Sequence, residues 1–250
     1  MCKHSDQFGS RPRRSLPRVT TSDPSDLTAM RIDYSGAPFD VTDLAADWWT
    51  QLDRWLTDAV ATDVTEPNAM VLATASPDGV PASRNVLAKQ VDAAGVAFYT
   101  NYHSAKSADL IANPLASATF CWLPLHRQAH VRGRVEKVDA ATTLAYWRTR
   151  PRGSQLGAWA SPQSTVVPDR PALDEMQAEM ERRFGGLDSI QEIPVPDHWG
   201  GWRIVPHTVE FWQGRRSRMH DRLRFRRIGA DNPGASAADA GSWIVERLAP

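Results

Sequence analysis

The sequence predicts an α+β fold in which an antiparallel, barrel-like β-sheet is surrounded by several helices. Apolar runs of strand length succeed one another between turn signals, without the regular strand–helix alternation of a parallel sheet. In the run 127–138, Gln128, His130, Arg132, Arg134 and Glu136 fall on one face and Ala129, Val131, Gly133 and Val135 on the other. That alternation is the mark of a strand buried on one side. No GxGxxG or P-loop glycine pattern occurs, which argues against a doubly wound nucleotide fold.

Residues 1–29 are rich in Ser, Pro, Thr and Arg and show no hydrophobic period. They are expected to form a disordered extension, leaving 30–250 as a single domain with Met30 as an alternative start. From Asp43 a helix is predicted, with Leu44, Trp48, Leu52, Trp55, Leu56 and Ala59 on one face. Strands are predicted at 69–75, 82–91 and 95–100, the first two joined by the turn Pro77-Asp78-Gly79. Ser104 can cap a short helix through Ile111, stopped by Asn113-Pro114. Strands follow at 115–122 and 127–138, and Asp139 caps a helix carrying Leu144, Tyr146 and Trp147.

Residues 151–164 contain Gly and Ser and read as a loop. A further helix runs from near Pro171 to Gly185-Gly186. Strands at 202–205, 208–213, 222–228 and 243–248 complete the pattern, with 230–241 as a small, polar hairpin loop. No internal repeat is visible.

The 250 residues have ordinary globular composition, 42% hydrophobic and 23% charged, and enough length for a sizeable core. Twenty-nine basic and 29 acidic residues balance, which argues against a nucleic-acid binder. Any affinity for anions must come from local clusters. Cys2 and Cys121 form no disulfide framework, and no apolar run approaches the length of a membrane span. The basic N-terminus lacks the apolar core of a secretory signal. A soluble, cytoplasmic protein is therefore expected. The histidines show no ligand spacing with Cys, Asp or Glu, so no metal site is expected. Ten tryptophans suit core packing, and a few of them suit a flat ring ligand.

Three basic clusters draw attention. The first is Arg84 and Lys89 with Tyr99, Thr100, Ser104 and Lys106, near a helix start where free N–H groups favour an anion. Arg84 and Lys89 are an odd number apart, so a regular strand points them to opposite faces. Either a bulge intervenes or they serve different ligand groups. A solvated strand face beside an ordinary cap would use the same residues.

The second cluster is Tyr146, Arg150, Arg152 and Ser154, suited to a phosphate or, equally, to a helix C-cap. The third is Arg218-Met219-His220-Asp221-Arg222. In extended conformation Arg218, His220 and Arg222 share a face, and two cations flanking the imidazole disfavour its protonation. An exposed, charged strand is the plain alternative.

Taken together, these segments resemble the pyridoxamine/pyridoxine 5′-phosphate oxidase family from about Arg31 to Pro250. The carrying stretches are Glu66-Pro67-Asn68-Ala69-Met70, Phe98-Tyr99-Thr100-Asn101, the run from Arg150 to Ser161, His198-Trp199-Gly200-Gly201, Glu210-Phe211-Trp212-Gln213-Gly214 and Glu246-Arg247-Leu248-Ala249-Pro250. The resemblance implies an FMN-binding split β-barrel and a homodimer with FMN at the subunit interface. It implies FMN contacts from Arg84, Val86, Leu87, Lys89, Tyr99, Thr100, Lys106, Gln128, Gln163, Ser164, Trp212 and Arg222. Lys89, Tyr146, Arg150 and Ser154 would meet the substrate phosphate. Arg218 and His220 would face the pyridine ring as catalytic residues, with Arg31 and Tyr34 in a segment folding over it.

The implied reaction converts pyridoxamine or pyridoxine 5′-phosphate to pyridoxal 5′-phosphate, with O2 as acceptor and H2O2 as product. Two departures from the family pattern stand out: Ala105, where many members have an arginine, and Ile32, where a basic residue is common. A flavin oxidase acting on another substrate, such as a phenazine precursor, and a non-enzymatic flavin or pyridoxal phosphate carrier are the competing expectations.

Overall fold

The computed structural model describes residues 27–30, 32–34, 36–229 and 243–250. The expected 230–241 loop, most of the N-terminal extension and Arg31 lie outside the described residues. A short 3-10 turn, Leu27–Ala29, falls within the expected extension.

Helix α1 (Trp48–Ala61) starts later than the apolar period suggests, because Asp47 accepts a hydrogen bond from Thr50 N at 2.8 Å and so caps it. Asp40 caps a separate 3-10 turn, Val41–Asp43, just before. The face predicted to be apolar is the one that packs: Trp48, Leu52, Trp55 and Ala59 are buried.

Strands β1 (Ala69–Ala75), β2 (Pro81–Leu87), β3 (Gln90–Asp92), β4 (Gly95–Asn101), β5 (Leu115–Trp122), β6 (Arg127–Lys137) and β7 (Trp199–Gln213) form a curled antiparallel sheet in the order β2-β1-β5-β6-β7-β4-β3. Strands β8 (Asp221–Arg227) and β9 (Trp243–Arg247) extend it from β7. This is the expected antiparallel split barrel. The predicted strand 82–91 is two strands, broken at Ala88-Lys89.

The two strands predicted at 202–205 and 208–213 are one, with an irregularity in its pairing beside Pro206. Residues 199–204 of β7 pair with β4, while 208–213 pair with β8. Pro206 has no N–H to donate, and the β6–β7 register shifts beside it, between Arg132 and Gly133. A Cβ at Gly133 would run into the Val205 carbonyl, so only glycine lets the chains pass there. Strand β6 shows the expected alternation, with Ala129, Val131, Gly133 and Val135 buried.

Helix α2 is Ala105–Ala112 and α3 is Ala140–Thr149, the latter capped by Asp139 as expected. The segment expected as a loop contains helix α4 (Arg152–Ala160), which packs on α5 (Arg170–Phe184). Gly153 and Gly157 disguise it. A helix-interior glycine costs roughly 0.5–1 kcal/mol relative to alanine. Burying Leu156 completely returns about 1.5–3 kcal/mol, enough to decide for helix. The packed α4 and α5 enclose a second, smaller core of Trp147, Leu156, Phe184, Ile193 and Trp199.

Candidate active site

A cleft of about 380 Å³ lies between the sheet and helices α2, α3 and α4. From the sheet it is lined by Asn85, Val86, Leu87, Lys89, Tyr99 and Thr100. The helices and the segments next to them contribute Lys106, Tyr146, Arg150, Pro151, Ser154 and Gln163, and Trp199 completes the wall. Ten residues expected at the site therefore meet in one cavity.

At one end sits Lys106, buried, with its ammonium donating to Gln163 Oε1 (2.7 Å), Ser104 Oγ (3.0 Å) and Thr100 Oγ1 (3.1 Å). All three acceptors are neutral, and no carboxylate among the described residues pairs with it. Burial, and then the nearby Arg84 guanidinium, push its pKa down to about 8. Such a cation suits an anionic ligand group. Ala105, at the first position of α2, is exposed and adds no second charge. Ser104 is the N-cap but makes no cap bond; its hydroxyl serves Lys106 instead.

At the other end, Pro151 ends α3 by forcing Arg150 into extended backbone. The Arg150 guanidinium lies over the rings of Trp199 (4.5 Å) and Trp147 (5.2 Å), and its Nη1 is buried without a hydrogen-bond partner. Tyr146 and Tyr99 stack at 4.1 Å, and Tyr99 stacks on Trp199 at 5.5 Å. Burial raises the pKa of both tyrosines, so their hydroxyls remain protonated donors. Ser154 stands in the first turn of α4, whose dipole adds positive potential to the same end.

A second group lies outside this cleft. Gln128, Trp212 and Arg222 sit side by side on β6, β7 and β8. The His220 ring lies 4.5 Å from Trp212, and Tyr34 touches both rings at 5.6 and 5.9 Å. His220 Nδ1 accepts from the Arg215 backbone N–H at 3.1 Å. Burial first, and then Arg218, lower its pKa, which favours the neutral ring. None of these residues lines the cleft.

Comparison with known proteins decides the family. Residues 56–213 match the family model described as pyridoxamine 5′-phosphate oxidase. Residues 199–250 match the pyridoxine 5′-phosphate oxidase C-terminal dimerisation region. The chain belongs to the pyridoxamine 5′-phosphate oxidase family.

Similar members include the pyridoxine/pyridoxamine 5′-phosphate oxidase of Saccharopolyspora erythraea, 54% identical over 90% of this chain and 95% of that protein. The one from Nocardia farcinica is 54% identical over 90% and 99%. Among solved structures, PhzG from Burkholderia lata 383, in complex with tetrahydrophenazine-1-carboxylic acid, is 30% identical with a TM-score of 0.75. It covers 87% of this chain and all of that one. An FMN-binding protein related to pyridoxamine 5′-phosphate oxidase from Nostoc punctiforme shares the fold at a TM-score of 0.62 and 17% identity, over 83% of this chain and all of its own.

Several details of the sequence reading change within this oxidase fold. Arg84 does not point into the cleft: it donates to Thr74 Oγ1 (2.7 Å) and Leu72 O (3.4 Å) and lies 4.0 Å from Asp109. Neither expected alternative describes the pair: Arg84 is held by protein groups, and Lys89 falls in the break between β2 and β3. Arg152 is no part of the phosphate cluster, since it donates to the carbonyls of Gly186, Gln191 and Phe184 around the end of α5.

Residues 216–222 are not one extended run. Arg216–Arg218 is a 3-10 turn with Ser217 and Arg218 at φ +56° and +60°, so Arg218, His220 and Arg222 share no strand face. Arg222 is paired with Glu210 at 2.7 and 3.0 Å, which leaves Arg218 as the cation acting on His220. Ser164 neighbours Gln163 but stays outside the cleft wall, in left-handed backbone at φ +73°.

Sequence reasoning missed Asn85, Pro151 and Trp199 as cleft residues. For Trp199 a signal was present: two glycines follow it. A Cβ at Gly200 would collide with Tyr102, and one at Gly201 would lie 2.9 Å from Tyr99. The start of β7 is pressed against the aromatic wall.

Proposed function

We propose that the chain oxidises pyridoxamine 5′-phosphate and pyridoxine 5′-phosphate to pyridoxal 5′-phosphate, using FMN and dioxygen, as a cytoplasmic homodimer. One observation carries the reading: a single cleft holds Lys106, Lys89 and Arg150, and Lys106 and Arg150 have no carboxylate partner among the described residues. Two phosphate-bearing molecules, cofactor and substrate, would each find a cation there.

FMN fits the Lys106 end. Lys106, Thr100 and Gln163 would hold its phosphate, and Val86, Leu87, Tyr99 and Lys89 its body, with Arg84 supporting from behind. When bound, FMN supplies a two-electron acceptor that dioxygen regenerates with release of H2O2. The substrate phosphate would lie against Arg150, Ser154, Tyr146 and Lys89, which fix the pyridine ring in place.

Arg218 and His220 are the proposed groups at the reacting carbon. Their place outside the cleft supports a dimer: a second copy would bring Gln128, Trp212, Arg222, Arg218 and His220 to the first copy's cleft. The match of 199–250 to a dimerisation region favours the same arrangement. Neutral His220, with Nδ1 accepting from the Arg215 N–H, can donate its Nε2–H to the substrate's amine or hydroxyl, and Arg218 can orient the ring. Tyr34, with Arg31, would close over the site.

The likeness to PhzG favours a second reading, oxidation of a reduced phenazine. The purified protein should carry a yellow flavin spectrum and produce peroxide with either phosphorylated vitamer under air. Peroxide from a reduced phenazine carboxylate alone would favour the second reading. Flavin binding without turnover of any of them would make the protein a carrier.

A further inference from the structure

We propose that Trp199 is a positioning residue for the substrate phosphate: its ring face holds the Arg150 guanidinium so that the guanidinium's N–H edge stays free for that phosphate. The inference rests on the reading of Arg150 as a phosphate ligand.

A buried or half-buried arginine is usually held by a carboxylate, and the carboxylate then competes with any incoming anion. Arg150 is held differently. Its Cζ lies 4.5 Å from the Trp199 centroid and 5.2 Å from that of Trp147, and no acid pairs with it among the described residues. An aromatic face attracts the cation through the ring quadrupole but neutralises nothing and takes up no N–H at the guanidinium's edge. The buried, unpartnered Nη1 fits that account.

The two tryptophans differ in role. Both belong to the small core, but Trp147 is tied by its indole N–H to Ile193 O at 2.7 Å and does not line the cleft. Trp199 both lines the cleft and stacks on Tyr99. Gly201 leaves room for the Tyr99 ring, which stacks on Trp199 at 5.5 Å.

The test compares the wild-type holoenzyme with Trp199→Phe and Trp199→Leu. Three quantities are measured: steady-state constants with pyridoxine 5′-phosphate, calorimetric affinity for inorganic phosphate, and FMN affinity by fluorescence. Leucine should raise KM and the phosphate Kd by about tenfold, with kcat within about twofold and FMN affinity unchanged. Phenylalanine should recover most of that loss.

If the leucine variant does not fold, pentafluorophenylalanine inserted at position 199 serves in its place. It matches phenylalanine in size but inverts the quadrupole, and should weaken phosphate binding about three- to tenfold relative to phenylalanine. Unchanged KM and phosphate affinity in a folded, flavin-loaded variant would overturn the proposal, as would an equal loss of FMN affinity. A wild-type protein that binds phosphate but turns over neither vitamer would instead refute the proposed function.

Discussion

The backbone N–H of Arg215 donates to His220 Nδ1 at 3.1 Å, and this bond leaves the neutral ring its proton on Nε2. Protonating Nδ1 would break the bond. Burial and Arg218 also oppose the charge, so His220 should titrate below its ordinary value near 6.5. As pH falls through that range the unfolded chain binds the proton first, so the neutral ring is kept at some cost to stability. The acid limb of kcat/KM should therefore lie below about pH 6.5. In Arg218→Ala it should move upward as one cause of the shift is removed. A limb that stays in place, or moves down, would remove His220 as its origin.

Lys106 predicts a pH dependence of opposite sense for cofactor binding. Its pKa is about 8 in the free cleft, and a phosphate beside it would raise that value. Binding then takes up a proton above pH 8, so FMN affinity should fall as pH rises, by at most about tenfold per unit. Fluorescence titrations between pH 7 and 10 measure this. Lys106→Arg should flatten the curve.

Arg150 and Arg152 are two residues apart and should fail in different ways. Arg152 donates to three carbonyls, so Arg152→Ala should cost about 1.5–3 kcal/mol of stability and leave KM unchanged. On a chain of this size that is a fall in Tm of several degrees, roughly 2–4 °C per kcal/mol. Arg150→Ala should raise KM for the phosphorylated substrate more than tenfold with little change in Tm. Thermal unfolding and steady-state kinetics separate the two.

The division of the proposed site residues into two groups predicts complementation between subunits. Assayed with substrate well below KM, Arg150→Ala and His220→Ala should each be nearly inactive alone. Mixed under conditions that exchange subunits, they form heterodimers in which one site combines an intact cleft with an intact His220. Activity should then return, towards a quarter of wild type if exchange is random. No recovery despite proven exchange would place both groups of one site on the same chain.

The sequence by itself determined most of the secondary structure and the class of the sheet. The alternation in β6, the apolar face of α1 and the Asp139 cap are local patterns, written in consecutive residues and visible without a fold. Helix α4 escaped because its glycines weaken the local signal, and only burial of Leu156 against α5 restores the balance. Ten of the expected site residues line one cleft, although they come from separate stretches of the sequence.

What only the tertiary structure decided is how each arginine is occupied. Arg84 meets Thr74 and Asp109, Arg152 three carbonyls of the α5 end, Arg222 a glutamate on the next strand, and Arg150 two tryptophan faces. These partners are separated from their arginines by as few as 3 and as many as 49 residues, since Trp147 and Trp199 flank Arg150 on either side. A guanidinium is the same chemical group at every position in a sequence. Whether it is spent on the protein or free for a phosphate depends on the acceptors that the fold brings within reach.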